Sequence, residues 1–355
     1  MERLKQKLHS PDEAERLYAV QDILDEQPDK APEWLVERLG EESSVAVRES
    51  LVDALKGIDI ESVFPRLFGM FSSPEAFLRN AAVDIFGEGG DAAIAFLTAY
   101  LDHADREVRK LVMDSLYATR SKTAVMALRA GLFDPSVNVK ITAVEYLGQL
   151  SDTDSLPEMI RVLETKTEPM LVSAILEALS VMGGAQHIQS VFKVLCPNGD
   201  IREINGLFLP EFIRLVARSG DVEIIEQFLS SMDGSGIYAE DYMEAVIESS
   251  RRFPRITGNK AVRDFLLGLI ENTEADPAIR YTACDLVLEN QLIDPEQIDP
   301  IGFELMEQPG MQAIGLRWLF KSDTQDARQK IQDILKRTGN QELKQLYEDL
   351  TEQEY

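Results

Sequence analysis

An all-α solenoid, a right-handed α-α superhelix of about ten helix pairs, is the fold class this chain predicts. Three observations predict it. One 14-residue unit recurs: SVAVRESLVDALKG (44–57), PEAFLRNAAVDIFG (74–87), DREVRKLVMDSLYA (105–118) and PSVNVKITAVEYLG (135–148) align on their basic residues without internal gaps. Their basic residues, Arg48, Arg79, Arg109 and Lys140, are 31, 30 and 31 residues apart, a fixed period of the size that stacked helical repeats require. Within each unit the apolar residues recur at helical spacing, and few stretches alternate as strands do.

With the basic residue as position zero, the apolar or small positions are −1, +3, +4 and +7, for example Val139, Ala143, Val144 and Leu147. At 100° per residue these share one face, the core face of an amphipathic helix. The cation lies near the middle of that stripe, where its stem is buried and its head must find a partner. The expected partner is an acid in the turn before the same helix, Asp134 for Lys140 or Asp102 for Arg109, giving a ladder of Arg48, Arg79, Arg109, Lys140 and, later, Arg280. Position +5 points to solvent and is acidic in Asp53, Asp84, Asp114, Glu145 and Glu177. The glycine at or next to +8 (Gly57 at +9, Gly87 and Gly148 at +8) fits a helix end in the left-handed region.

The pattern V-R-x-x-[AV]-[AV]-[DE]-x-[LF]-G at this period resembles the HEAT-like repeat of the bacterial phycobilisome-lyase type over residues 43–150 and more loosely to about 195. It returns in AIRYTACDLV (278–287), with Ile279, Arg280, Ala283, Cys284, Asp285 and Val287 in register. The resemblance implies an armadillo-like α solenoid. It is weak on function, because such families include scaffolds, adaptors, lyases and glycosylase-like enzymes.

Taken in order, residues 1–9 form a leading helix, and Ser10-Pro11 starts the first repeat, whose Arg16 precedes Arg48 by 32 residues. PEWLVERLG follows, and its Trp34 is expected to pack in the end cap. Repeats two to five fill 43–165, each pairing a V-R helix with a second helix: ESVFPRLFGMFS, DAAIAFLTAYLD, KTAVMALRAGLFD and SLPEMIRVLET. The Gly-rich GEGGD (87–91) lacks GK[ST] and reads as a turn rather than a phosphate loop. In repeat six Leu171 and Val172 replace the V-R pair. The register then breaks at 196–208 and 233–241, both rich in turn residues. Between 251 and 263 stand five cations and no acid: Arg251, Arg252, Arg255, Lys260 and Arg263. They form either a pocket for an anionic group or acidic partner segment, or a solvated loop balancing nearby acids. The period resumes near 276, Trp318 falls on a core face, and polar helices close the chain. The expected organisation is one continuous solenoid: regular repeats with an N-terminal cap at 1–195, irregular repeats at 196–265, and repeats with a C-terminal cap at 266–355.

The chain has 355 residues and a net charge of −26, with 62 acids against 36 bases. This argues against nucleic acid and anionic membranes and favours a protein partner with a basic surface or segment. The two cysteines, Cys196 and Cys284, are far apart and read as buried thiols in a reducing compartment, and the three histidines have no metal-ligand spacing. The N-terminus has no apolar core of a signal peptide and no run is long enough to span a membrane, so a cytoplasmic location is expected. No catalytic, cofactor or metal residues stand out. The function expected is a non-enzymatic protein-interaction scaffold or adaptor, regulatory in a bacterial cytoplasm, that binds partners on a concave acidic column of Asp53, Asp84, Asp114, Glu145 and Glu177. A lyase or lyase subunit of the phycobilin kind and a HEAT-like nucleic-acid repair protein are the alternatives.

Overall fold

Every element of the computed structural model, which describes residues 2–165, 168–232 and 238–353, is a helix or a turn, and no strand occurs among those residues. The chain divides into two compact units, Met1–Gly184 and Ala185–Tyr355. The first contains α1 (Glu2–Leu8), α2 (Glu13–Glu26), α3 (Ala31–Glu41), α4 (Val45–Lys56), α5 (Phe64–Gly69), α6 (Ala76–Gly87), α7 (Gly90–Thr98), α8 (Arg106–Ala118), α9 (Lys122–Ala130), α10 (Val137–Gln149), α11 (Leu156–Glu164) and α12 (Pro169–Val181). The second contains α13 (Ile188–Leu195), α14 (Leu209–Ser219), α15 (Val222–Met232), α16 (Ala239–Arg252), α17 (Lys260–Glu271), α18 (Pro277–Glu289), α19 (Pro295–Glu307), α20 (Gln312–Ser322), α21 (Gln325–Arg337) and α22 (Gln341–Gln353). In the first unit α1 leads the alternating helices, and in the second α22 closes them.

In each unit the even-numbered helices form one layer, each packed on the even helix before and after it. This layer includes the V-R helices. Their core stripe is buried as the period predicts: Val47, Leu51, Val52 and Leu55 in α4, Val108, Val112, Met113 and Leu116 in α8, and Val139, Ala143, Val144 and Leu147 in α10. A fully buried aliphatic side chain contributes roughly 1.5–3 kcal/mol, so four per helix is the main holding force. The odd helices are the second layer. In repeat two that layer is broken by Pro65 and Gly69 into α5 flanked by two 3₁₀ turns. Aromatic rings compensate: Phe64 lies 5.4 Å from Phe86 and 5.3 Å from Phe96, and Phe68 stacks on Tyr100 at 3.9 Å. Trp34 is 9 % exposed and Trp318 fully buried, so both are packing residues.

Two local expectations are corrected. The first repeat helix begins at Glu13 with Asp12 as N-cap, accepting from the Ala14 N–H, while Ser10 and Pro11 remain in the preceding turn. The glycines at or next to +8 are not left-handed. Gly57 has φ −95°, and none of the three appears among the positive-φ glycines. Gly87 and Gly148 lie inside helices where the next even helix comes close: an added Cβ would stand 3.0 Å from Ala118 Cβ and 3.2 Å from Ala178 Cβ. Left-handed helix ends fall instead on residues such as Gln27, Arg120, Ser151, Gln291 and Asp323, and on Gly220 after α14.

The stretch 196–208 is a loop with a short 3₁₀ turn at Ile201–Glu203 and a left-handed Gly199. Of the other register break, residues 233–237 lie outside the described residues, and α16 follows it.

Candidate partner-binding face

The ladder cations hold the turns together, and the acid lies one repeat ahead of where the sequence reading places it. Arg109 is buried. Its Nη1 donates to the His103 and Ala104 carbonyls of its own turn (2.7 and 3.3 Å), and its Nε and Nη2 grip Asp134 at 2.7 and 2.8 Å, 25 residues further on. Asp134 therefore serves Arg109 rather than Lys140, and Asp102 does not take part. The pairing raises the Arg109 pKa above its ordinary value. Arg16 does the same with Glu42, at 2.8 and 3.1 Å, and Glu42 also accepts from Arg38 and the Ser43 and Ser44 N–H groups. Burial alone would raise this carboxyl; the bonds from Arg16, Ser44, Arg38 and Ser43 outweigh it and hold it down at about 2. Arg48 bonds the Glu42 carbonyl and Glu75 (2.7 Å) and lies 5.0 Å over the Phe77 ring. Arg79 makes the two carbonyl bonds, to Ser73 and Pro74, and no ion pair among the described residues. In the second unit Arg280 is 4 % exposed, donates to the Ile270 carbonyl and to Gln308 Oε1 at 2.8 Å, and has an unbonded Nε. A neutral amide stands there in place of the carboxylate. Lys140 is half-buried.

The +5 acids all lie on the even-helix layer. Asp53, Asp84, Glu145 and Glu177 are exposed. Asp114 differs: it is half-buried, receives Lys110 at 3.0 Å and accepts from the Tyr146 hydroxyl at 2.7 Å. Burial and this bond to Asp114 push the Tyr146 phenol above its ordinary range. Tyr146 stacks on Tyr117 at 4.1 Å with the rings 4° from parallel, and Tyr117 donates to Gln149 at 2.6 Å. Between α10 and α12 a groove of about 260 Å³ brings Glu145 and Glu177 together over Gly148, Ala174 and Ala178. Sequence reasoning missed this groove; the small residues Gly148, Ala174 and Ala178 on adjacent repeats were its only signal.

The basic segment is dispersed rather than gathered. Arg251 and Arg252 end α16 and both approach Glu248, at 3.8 and 2.6 Å, and Arg263 lies 3.9 Å from Asp264. Arg255 stands 5.8 Å over its neighbour Phe253, and Lys260 opens α17 in solvent. Both cysteines are free and buried, and burial pushes each thiol up to about 12, so neither is a ready nucleophile. Among the described residues no cluster of His, Cys, Asp or Glu could hold a metal, and no helix is long and apolar enough to cross a membrane.

With this geometry in hand, the comparisons agree on the architecture. A family model of HEAT repeats matches residues 93–180 and 125–203. No curated protein matches the chain. Among solved structures it is similar to Kap121p at a TM-score of 0.57 and 13% identity, covering 97% of this chain and 44% of that one, and equally to Kap121p bound to Ste12p, at 0.57 and 13%. A variant of Kap121p with three acidic residues changed to lysine matches at 0.52 and 15%, covering 94% of this chain and 41% of that one. The chain thus spans less than half the length of these structures. The fold is an all-α stack of helical repeats, with HEAT repeats recognised across 93–203.

Proposed function

We propose that this protein is a non-enzymatic adaptor of the bacterial cytoplasm that binds a basic protein segment along the even-helix face of its first unit. The observation that carries the reading is the set of exposed, unpaired carboxylates at one position of successive repeats, Asp53, Asp84, Glu145 and Glu177, in a chain of net charge −26. Helices packed side by side hold equivalent residues about 10 Å apart, a spacing that suits a basic helix or an extended basic strand. Unpaired carboxylates of one sign steer a cationic partner in and lose their pull as salt rises. Asp114, placed in the column by the sequence, is a minor member because Lys110 already neutralises it. Solved structures of Kap121p with Ste12p and with Pho4p show a similar fold holding protein partners. A lyase reading of the repeat has no residue set behind it.

The test is binding of a fluorescein-labelled peptide of six alternating arginines and glycines, followed by anisotropy at 20 and 150 mM salt. Wild type should bind, more weakly at the higher salt, and a variant with Asp53, Asp84, Glu145 and Glu177 all changed to lysine should not. Equal binding by both would sink the proposal.

A further inference from the structure

Across neighbouring even helices, side chains 32 residues apart face one another, and most such rungs are donor to acceptor. Tyr146 of α10 donates to Asp114 of α8 at 2.7 Å, and Tyr117 of α8 donates to Gln149 of α10 at 2.6 Å. In the second unit Arg317 of α20 donates to Asp285 of α18 at 2.5 Å and approaches Glu289 at 3.8 Å. Asp285 is itself a +5 acid of the repeat, so the fold shows what this position accepts across the gap: a guanidinium from the next helix. The same offset in α10 and α12 pairs Glu145 with Glu177. Here two carboxylates line one groove with no cation among its lining residues; the neutral amide of Gln149, whose oxygen accepts from Tyr117, lines it too. Both are exposed and neither makes an ion pair within 4 Å among the described residues.

Between these two carboxylates lies the 260 Å³ groove, floored by Gly148, Ala174 and Ala178. Its volume is several times the roughly 30 Å³ share of one water, so it admits a side chain. Gly148, Ala174 and Ala178 leave the floor small, Gln149 lines the groove beside them, and Gly148 keeps α10 close to Ala178. Small apolar residues suit the methylene stem of a long cation, and flanking carboxylates suit its head. Val181, 61% exposed at one side, adds apolar surface.

We infer that the α10–α12 groove is a socket for one arginine side chain of the basic partner, whose guanidinium takes between Glu145 and Glu177 the place that Arg317 takes beside Asp285. This rests on the even-helix face being the binding face, and it makes one repeat boundary the anchor of that face.

The same arginine–glycine peptide tests it at 20 mM salt, with a serine–glycine peptide as the neutral control. Two variants remove equal charge from the face: Glu145→Gln with Glu177→Gln inside the groove, and Asp53→Asn with Asp84→Asn outside it. The first pair should weaken binding about fivefold or more, as two exposed charge contacts allow, and the second less than twofold. Ala174→Leu, which fills the groove and leaves the charge unchanged, should weaken binding as the first pair does. Glu177→Arg should build the internal pair seen at Asp285, raise the urea midpoint and abolish binding. Equal losses from the two charge pairs, or full binding by a folded Ala174→Leu, would overturn the socket while leaving the face. No preference of wild type for the arginine peptide over the neutral one would overturn both.

Discussion

Removing the Glu42 charge should be the most damaging isosteric change in the first unit. In Glu42→Gln one oxygen becomes an NH₂ group, which cannot accept, and it turns a donor toward guanidinium donors. The Arg16 and Arg38 side chains are 10% and 14% exposed, so both cations lose their counter-charge away from water. Breaking a buried ion pair from one side costs about 3–5 kcal/mol. The carboxyl's displacement from 4.5 to about 2 gives an independent figure. At 1.36 kcal/mol per pKa unit it amounts to about 3.4 kcal/mol. The folded pKa is depressed, so this stability is fully present above the unfolded value near 4.5 and drains away as pH falls toward 2. By pH 3.5 about 1.4 kcal/mol of it should be gone. Urea unfolding followed by circular dichroism reads both quantities. With a slope of about 2 kcal/mol per molar, the variant's midpoint at pH 7 should fall by about 1.5 M. The gap between wild type and variant should then shrink by about 1.4 kcal/mol at pH 3.5, other carboxylates cancelling in the difference. A gap below about 1 kcal/mol at pH 7, or one that does not change with pH, would refute the view that Glu42 is a buried hub.

Gly315→Ala should destabilise the second unit by about 2–3 kcal/mol in urea, because its Cβ would stand 2.8 Å from the Met306 backbone nitrogen and 3.0 Å from Leu305 Cβ, where α19 cannot yield cheaply. Gln308→Glu should stabilise that unit by about 1 kcal/mol at pH 7, giving Arg280 the carboxylate that Arg109 and Arg16 enjoy. The gain should vanish on titration to pH 3, where the new acid is protonated. Ser151→Gly should add about 0.5 kcal/mol to the first unit, since Ser151 holds φ 53°, a conformation that glycine adopts without Cβ strain. Thermal midpoints should rise accordingly, and a fall would mean that the serine side chain contributes more than the strain costs.

The repeat made most of the architecture legible. A period near 31 placed the even helices, and the apolar stripe named their buried residues, because one helix face is set by sequence spacing alone. The direction of the ladder was not legible. Asp134 lies six residues before Lys140 and 25 after Arg109, and only the three-dimensional stagger of the repeats decides which cation it meets. The glycine at +8 misled for a similar reason: a helix end and a close helix crossing both select glycine, and a single sequence does not separate them. The column of acids could be read, and so could the i,i+4 partner Lys110 of Asp114, but not that Tyr146 reaches Asp114 from the next even helix, which the periodicity of one helix does not encode. The groove depends on Gly148 and Ala178 in different repeats, and on a cation that is missing rather than a motif that is present.

The forward direction of the ladder changes what the repeats owe one another. An acid in its own turn would stabilise each repeat singly. An acid in the next turn makes the bond an interface term, so the array is held by nearest-neighbour coupling. The coupling varies along the first unit: Arg16 and Arg109 have buried, two-pronged acids, Arg48 has an exposed one, and Arg79 has none, its counterpart Asp105 capping α8 instead. Where polar coupling is thin, the Phe64–Phe86–Phe96 cluster joins repeats two and three through rings. The ladder lies on the turn side of the even helices, while the +5 column lies on their solvent side. The two sets of charges are thereby separated: the ladder carboxylates are saturated by arginines of the chain itself, and the column carboxylates at 53, 84, 145 and 177 remain unpaired. A chain with 62 acids and 36 bases cannot neutralise every carboxylate. Its buried arginines serve the turns and leave the column carboxylates unpaired, as the proposed surface for a cationic partner would require.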